Sequence, residues 1–143
     1  MQPTNIYLFL APITLWSGLT LAAFGADVKI IANPQIRASS ISVEDLRGIF
    51  LETKTSLPDG SHVEPAILQP GSVHHAFVTQ FMGKTDAALE TYYRSLAFSG
   101  RGLIPKTLGS DEEMIRYVAN TKGAIGYVSA NAPTAGVKTV QVK

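Results

Sequence analysis

The sequence predicts an α/β fold, a mixed sheet flanked by helices, on three observations. Short apolar runs that suit covered strands alternate with segments whose apolar residues recur at helical spacing. Those helical segments carry start and stop residues where capping requires them. All 12 Lys and Arg and all 11 Asp and Glu lie at or beyond Asp27, and the part from there to Lys143 is the size of one ordinary domain.

Each element follows from its residues. Val28 to Ala32 (VKIIA) is a nearly continuous apolar run, as in a strand covered on both faces, and Asn33-Pro34 ends it. Ser42 stands as an N-cap with Glu44 and Asp45 in the first turn of a helix whose apolar face is Val43, Leu46, Ile49 and Phe50. Pro58-Asp59-Gly60 marks a turn into a strand over Val63 to Leu68, where Pro65 points to a strand start or an edge. After Pro70-Gly71, Ser72 opens a helix with Val73, Ala76, Phe77 and Phe81 on its apolar face and Gly83 at its C-cap. Thr85 caps the next helix, which buries Leu89, Tyr92, Tyr93 and Leu96, pairs Glu90 with Arg94 and stops at Gly100.

Ser110 and Glu113 form a capping box for a helix with Met114, Ile115 and Val118 inward, a Glu112 to Arg116 pair outward, and Gly123 as its stop. Ala124 to Val128 (AIGYV) is a buried strand and Val137 to Val142 a terminal, half-exposed one. The predicted order is strand, helix, strand, a pair of helices, helix, strand, strand.

Residues 1–26 have a different composition. Ile6 to Ala26 carries no charge, is rich in Leu, Ile, Phe and Ala, and ends in small residues at Ala23 and Gly25, the pattern of a secretory signal peptide with its cleavage site. The expectation is a signal peptide over 1–26 and a domain over 27–143, periplasmic or secreted. Retention of the apolar run as an N-terminal membrane anchor is the alternative, and it is the only membrane contact expected.

Composition removes several function classes. A net charge of +1 gives no broad basic field for nucleic acid. With no cysteine there is no disulfide, Cys-ligated zinc, iron–sulfur cluster or thiol catalysis. His74 and His75 are adjacent on a helix and point about 100° apart, so with His62 on a loop they read as surface histidines rather than metal ligands. No G-x-S-x-G turn or P-loop is present, and the carboxylates cluster in first turns of helices, where the dipole places them. Neither an enzyme nor a metal or cofactor is expected.

Four segments together are more specific: Ile41 to Phe50 (ISVEDLRGIF), Pro58-Asp59-Gly60, Phe98 to Gly102 (FSGRG) and Thr121 to Val128 (TKGAIGYV). In this order they resemble the phosphate-type periplasmic substrate-binding proteins of ABC transporters, over essentially all of Val28 to Val142. In particular the chain resembles short relatives that look like one lobe of the usual two-lobed protein, so the resemblance implies a single lobe of a type II periplasmic-binding-protein-like fold. Three departures stand out. Glu52 occupies a position where the family usually has Gly, and Leu57 one where a Trp is usual. The family's anion-binding turn, R-S-D-G-S-G-T followed by a helix with Phe, is here Leu68 to Phe77 (LQPGSVHHAF), which keeps Gly71, Ser72 and Phe77 without the Arg, Asp and Thr.

The candidate ligand-binding residues are Gly71, Ser72, Arg101 and Ser40. Gly71 and Ser72 sit at a helix start, where unpaired N–H groups and the dipole attract anions; a plain N-cap is the simpler reading. Arg101, between two glycines, offers bidentate contact to phosphate or carboxylate, or is a solvated side chain after a helix stop. Ser39 and Ser40 could donate hydroxyls or serve the local backbone. The resemblance implies a small phosphate-like oxyanion as ligand and an ABC permease or another envelope protein as partner. The alternative is a non-catalytic envelope interaction module that keeps the fold and has lost the anion site.

Overall fold

The computed structural model describes residues 27–143, so the predicted signal segment lies outside the described residues. Six strands form one sheet in the order β2-β6-β1-β5-β3-β4. They are β1 (Val28–Ala32), β2 (Ser40–Ile41), β3 (Glu64–Leu68), β4 (Lys106–Leu108), β5 (Ala124–Ser129) and β6 (Lys138–Val142). Strand β1 pairs antiparallel with both β5 and β6, and every other pairing of these strands is parallel. β1 alone therefore runs against the rest, and the ends of β2, β3, β4, β5 and β6 share one rim of the sheet. This is the predicted mixed sheet flanked by helices.

Strand β5 is buried from Ala124 to Val128 because helices cover both of its faces. Gly126 turns toward α4 (Asp111–Asn120): a Cβ there would lie 2.5 Å from Met114 Sδ, so only glycine admits the helix at this distance. Its neighbour Tyr127 turns to the other face. There it meets Phe50 at the end of α1 (Val43–Phe50) and Phe77 of α2 (Ser72–Phe77). α2 continues as a π-helical turn, Val78–Met82, up to Gly83. α3 (Asp86–Ser99) is hung on the end of α1 by two phenols, Tyr92 Oη donating to Leu51 O (2.6 Å) and Tyr93 Oη to Phe50 O (2.7 Å). Burial of that second phenol raises the Tyr93 pKa, so its hydroxyl stays a donor.

The predicted caps are present: Ser42, Thr85 and Ser110 each accept a backbone N–H three residues on, and Gly83 and Gly100 end their helices in the left-handed region. Three expectations need correction. The predicted order omitted β2 and β4, strands of two and three residues at the sheet edges, too short to show a period. The buried residues of the helix after Ser72 are His74, Phe77, Val78, Phe81 and Met82, while Val73 and Ala76 of the predicted face are only half-buried, Val73 packing against the edge of the core. His74 is buried rather than on the surface, with 7% of its area exposed.

Asn33, the other buried polar residue among those described, ties the end of β1 to the end of α4. Its Nδ2 donates to Val118 O (2.9 Å) and Ala119 O (3.3 Å), and its Oδ1 accepts from Gln35 N (3.0 Å). Those helix-end carbonyls have no intrahelical donor of their own. Glu52 adopts φ 59°, the left-handed conformation, where the resemblance expected Gly. Burial, and then Glu64, push its carboxyl pKa above the ordinary 4.5.

Two outcomes follow, both read from urea unfolding midpoints. Asn33→Ala should cost about 1–3 kcal/mol, because buried carbonyls lose their donor. Glu52→Gly should gain about 0.5–1 kcal/mol at neutral pH by releasing the backbone, less glycine's own entropy cost. Since ionised Glu52 is disfavoured in the folded chain, that gain should shrink as pH falls to 4.5 and below, where the side chain is neutral in both states.

Candidate functional site

In open α/β sheets, ligands bind where strands end and helices begin. Here β3 leads through Gln69-Pro70-Gly71 into α2, and β4 leads through Gly109-Ser110 into α4. The two connections are tied by Gln69 N donating to Leu108 O (2.9 Å) and Gln69 Nε2 to Gly109 O (3.1 Å). Between the helix starts lies a hollow of about 260 Å³, with Gln69, Gly71, Ser72, His74, Ser110 and Asp111 in its wall.

The two helix starts are electrostatically opposite. α4 is capped from within: Ser110 Oγ accepts from Glu113 N (3.2 Å), Glu113 Oε2 accepts from Gly109 N (2.8 Å), and Asp111, Glu112 and Glu113 fill its first turn. The Asp111 carboxylate also accepts from Ser129 Oγ (2.5 Å). α2 has no acidic residue in its first turn and no side-chain cap. Gly71 is the N-cap, in an extended conformation, and Ser72 is the first helical residue. The first helical bond runs from His75 N to Gly71 O (2.9 Å), and the N–H groups of Ser72, Val73 and His74 find no acceptor among the described residues. The plain N-cap reading of Ser72 therefore does not describe this helix start, whose free donors and positive dipole end face the hollow.

Tyr127 sets where that start sits. The β3–β5 ladder ends at Pro65 and Ile125. Beyond it, Leu68 N donates instead to the Tyr127 hydroxyl (3.0 Å). The same oxygen lies 2.6 Å from His74 Nδ1. With its lone pair engaged by Leu68, the phenol places its proton on Nδ1, so the neutral imidazole carries its own on Nε2. Burial raises the Tyr127 pKa, which keeps the donor in place. Burial also lowers the His74 pKa from 6.5, only partly offset by Asp86, and His75 adds to the lowering. The Tyr127 ring stacks on Phe77 at 3.8 Å and 7°, fixing the helix one turn further along.

Of the four residues singled out from sequence, the structure brings together only Gly71 and Ser72. Arg101 is exposed in a separate hollow of about 520 Å³ with Leu103 and Ile104. That hollow lies at the end of α3, lined also by Ala97 and Gly100, and a Cβ on the adjacent Gly102 would lie 3.5 Å from Leu96 Cδ1 and 3.6 Å from Glu52 Cβ. Ser40 lies on edge strand β2 in a hollow of about 570 Å³ with Arg37, Asp45, Asp59 and Lys143. Sequence reasoning missed His74 and Tyr127. The signal available for His74 was its spacing of three and four from Phe77 and Val78; nothing local pointed to the Tyr127 hydroxyl. Among the described residues no group of His, Asp and Glu could hold a metal, and no helix is long and apolar enough to cross a membrane.

No family model matches the sequence, and neither does any curated protein. Solved structures do match in fold. An ABC-type phosphate transport receptor from Vibrio cholerae aligns with TM-score 0.62 at 17% identity, over 80% of this chain and 45% of its own. PstS from Borrelia burgdorferi aligns with TM-score 0.61 at 17% identity, over 81% and 47%. A putative phosphate ABC transporter substrate-binding protein with bound phosphate, from Clostridium perfringens, aligns with TM-score 0.63 at 15% identity, over 80% and 44%. The chain thus spans less than half the length of these structures, and the likeness is one of fold.

Tyr127→Phe should lower stability by about 1–3 kcal/mol in urea unfolding, because it leaves the buried Leu68 N–H and His74 Nδ1 unpaired. In the unsubstituted protein His74 should also withdraw stability on the acid side. Its folded pKa is depressed, so its contribution is present above pH 6.5 and is lost as pH falls below that value.

Proposed function

We propose that the chain is an exported solute-binding lobe of the phosphate type, which takes a small oxyanion at the start of α2 for an ABC transport system. Residues 1–26 are its signal peptide and 27–143 its binding domain, located in the periplasm or secreted. Gly71 supplies an extended backbone that lets the ion approach, Ser72 a hydroxyl and an N–H, and Val73 and His74 further N–H donors. The observation that carries this reading is the uncapped, acid-free start of α2, facing a hollow whose other helix start already holds its own carboxylates. The phosphate-linked names of the fold neighbours support the same ligand class. Affinity is modest, because one open lobe leaves the ion partly hydrated and the attraction screened.

A second reading has its own observation. Leu103 and Ile104, 82% and 52% exposed, line the Arg101 hollow, and Phe98, 88% exposed, lies three residues before Arg101, apolar surface that suits a protein partner of an interaction module. On this reading the anion site is idle.

Calorimetric titration of the chain from Asp27 with phosphate and then sulfate, in a buffer free of both, separates the two. Saturable one-site binding is expected, with a raised thermal midpoint. Ser72→Ala should weaken it by about 1.5–3 kcal/mol, a charge-assisted hydrogen bond, whereas Arg101→Ala and Ser40→Ala should leave it unchanged. No heat and no midpoint shift up to millimolar anion would transfer the assignment to the interaction module. Intact-mass measurement of the exported protein should find no residue before Ala23.

A further inference from the structure

His74 and Asn33 are the buried polar residues among those described, and Asn33 is fully engaged by backbone. His74 is not. Its Nδ1 is held by Tyr127 Oη, while Nε2 has no hydrogen-bond partner among the described residues, where no buried side-chain nitrogen or oxygen is left unpaired. Nε2 therefore keeps some access to solvent, and His74 is one of the residues that line the hollow at the start of α2.

We propose that His74 is a ligand-contacting residue of this site through Nε2, and that it takes up a proton when an anion binds. The inference rests on the oxyanion site assigned above and adds a residue and a proton to it. In the free protein the Tyr127 hydroxyl donates to Nδ1, which holds the ring neutral with Nε2–H available to an anion oxygen. An anion at Nε2 favours the imidazolium. The proton comes from solvent to Nδ1, and the Tyr127 hydroxyl then turns its own proton out of that bond, its oxygen accepting from Nδ1–H beside the Leu68 N–H it already holds.

The charged and titratable groups around the ring oppose each other. His75 on the same helix and the Leu68 N–H held by Tyr127 favour the neutral form. Asp86 at the start of α3, which pairs with His75 Nδ1 (3.2 Å), favours the cation, and Asp111 lies across the hollow. No acid in the first turn of α2 neutralises His74, so the incoming anion is the charge that changes on binding.

Sulfate is the probe, since it stays a dianion from about pH 5 to 8 and phosphate, whose second pKa is near 6 to 7, does not. Its affinity for the chain from Asp27 should rise as pH falls from about 7.5 to 5.5, by up to about tenfold for each unit by which the bound anion raises the His74 pKa. Calorimetry in two buffers of different ionisation enthalpy should show proton uptake on binding. His74→Gln keeps a donor and should bind sulfate without proton uptake or pH dependence; His75→Gln should retain both. Proton NMR titration of His62, His74 and His75 in the unsubstituted chain, with and without saturating sulfate, needs no variant to fold and should move His74 upward. Saturable sulfate binding with an unmoved His74 and no proton uptake overturns this inference alone. Absence of saturable binding at every pH overturns the site beneath it as well.

Discussion

The position of the candidate site depends on one side chain, Tyr127. Its ring has no exposed area, lies flat against Phe77 and meets Phe50 at 5.9 Å. Its hydroxyl closes the gap where β3 and β5 part, taking the Leu68 N–H that a ladder partner would otherwise have held. A buried amide left unpaired there would cost about 1–3 kcal/mol. The phenol thus holds the end of β3 with its oxygen and α2 with its ring. The last residue of the strand and the first turn of the helix are fixed to the same group, and the connection Gln69-Pro70-Gly71 has little freedom left.

Gly126 and Tyr127 divide the labour of β5 between the two faces of the sheet. The absence of a side chain at Gly126 brings α4 close through Met114, and the bulk of Tyr127 brings α1 and α2 onto the opposite face. α4 and α2 therefore begin at the same rim from opposite sides of the sheet, with the hollow between their starts. Their charges differ because their sequences do. Ser110 caps its own helix and Asp111, Glu112 and Glu113 face the dipole, while Gly71-Ser72-Val73 offers neither a side-chain cap nor an acid. The hollow therefore has free donors on one wall and carboxylates on the other.

What was legible in the sequence was local. Ser42, Thr85 and Ser110 act within three residues of themselves, and Gly83 and Gly100 act on their own backbone, so caps and helix limits could be read directly. β2 and β4 could not, because strands of two and three residues exist only by pairing with β6 and β3. The same division runs through the site. Gly71 and Ser72 were identified from a helix start, a local feature. The burial of His74 depends on a tyrosine 53 positions away, and the separation of Arg101 and Ser40 from Ser72 depends on which rim and which edge of the sheet each reaches. Neither is encoded in spacing along the chain.

The unanswered start of α2 is costly on its own terms. A Ser, Asp or Asn at an N-cap is worth roughly 1 kcal/mol over a residue without a cap, though only a few tenths over glycine. Glycine at position 71 keeps most of that stability through an open, solvated backbone, and it puts no side-chain oxygen over the Ser72, Val73 and His74 donors. An aspartate there would cap the same N–H groups and cancel the positive end of the dipole. The surrounding structure can carry an uncapped start because Phe77, Val78, Phe81 and Met82 bury the rest of the helix in the core. The fold anchors α2 by its apolar face and its contact with Tyr127, and thereby tolerates a polar end whose donors have no acceptor among the described residues.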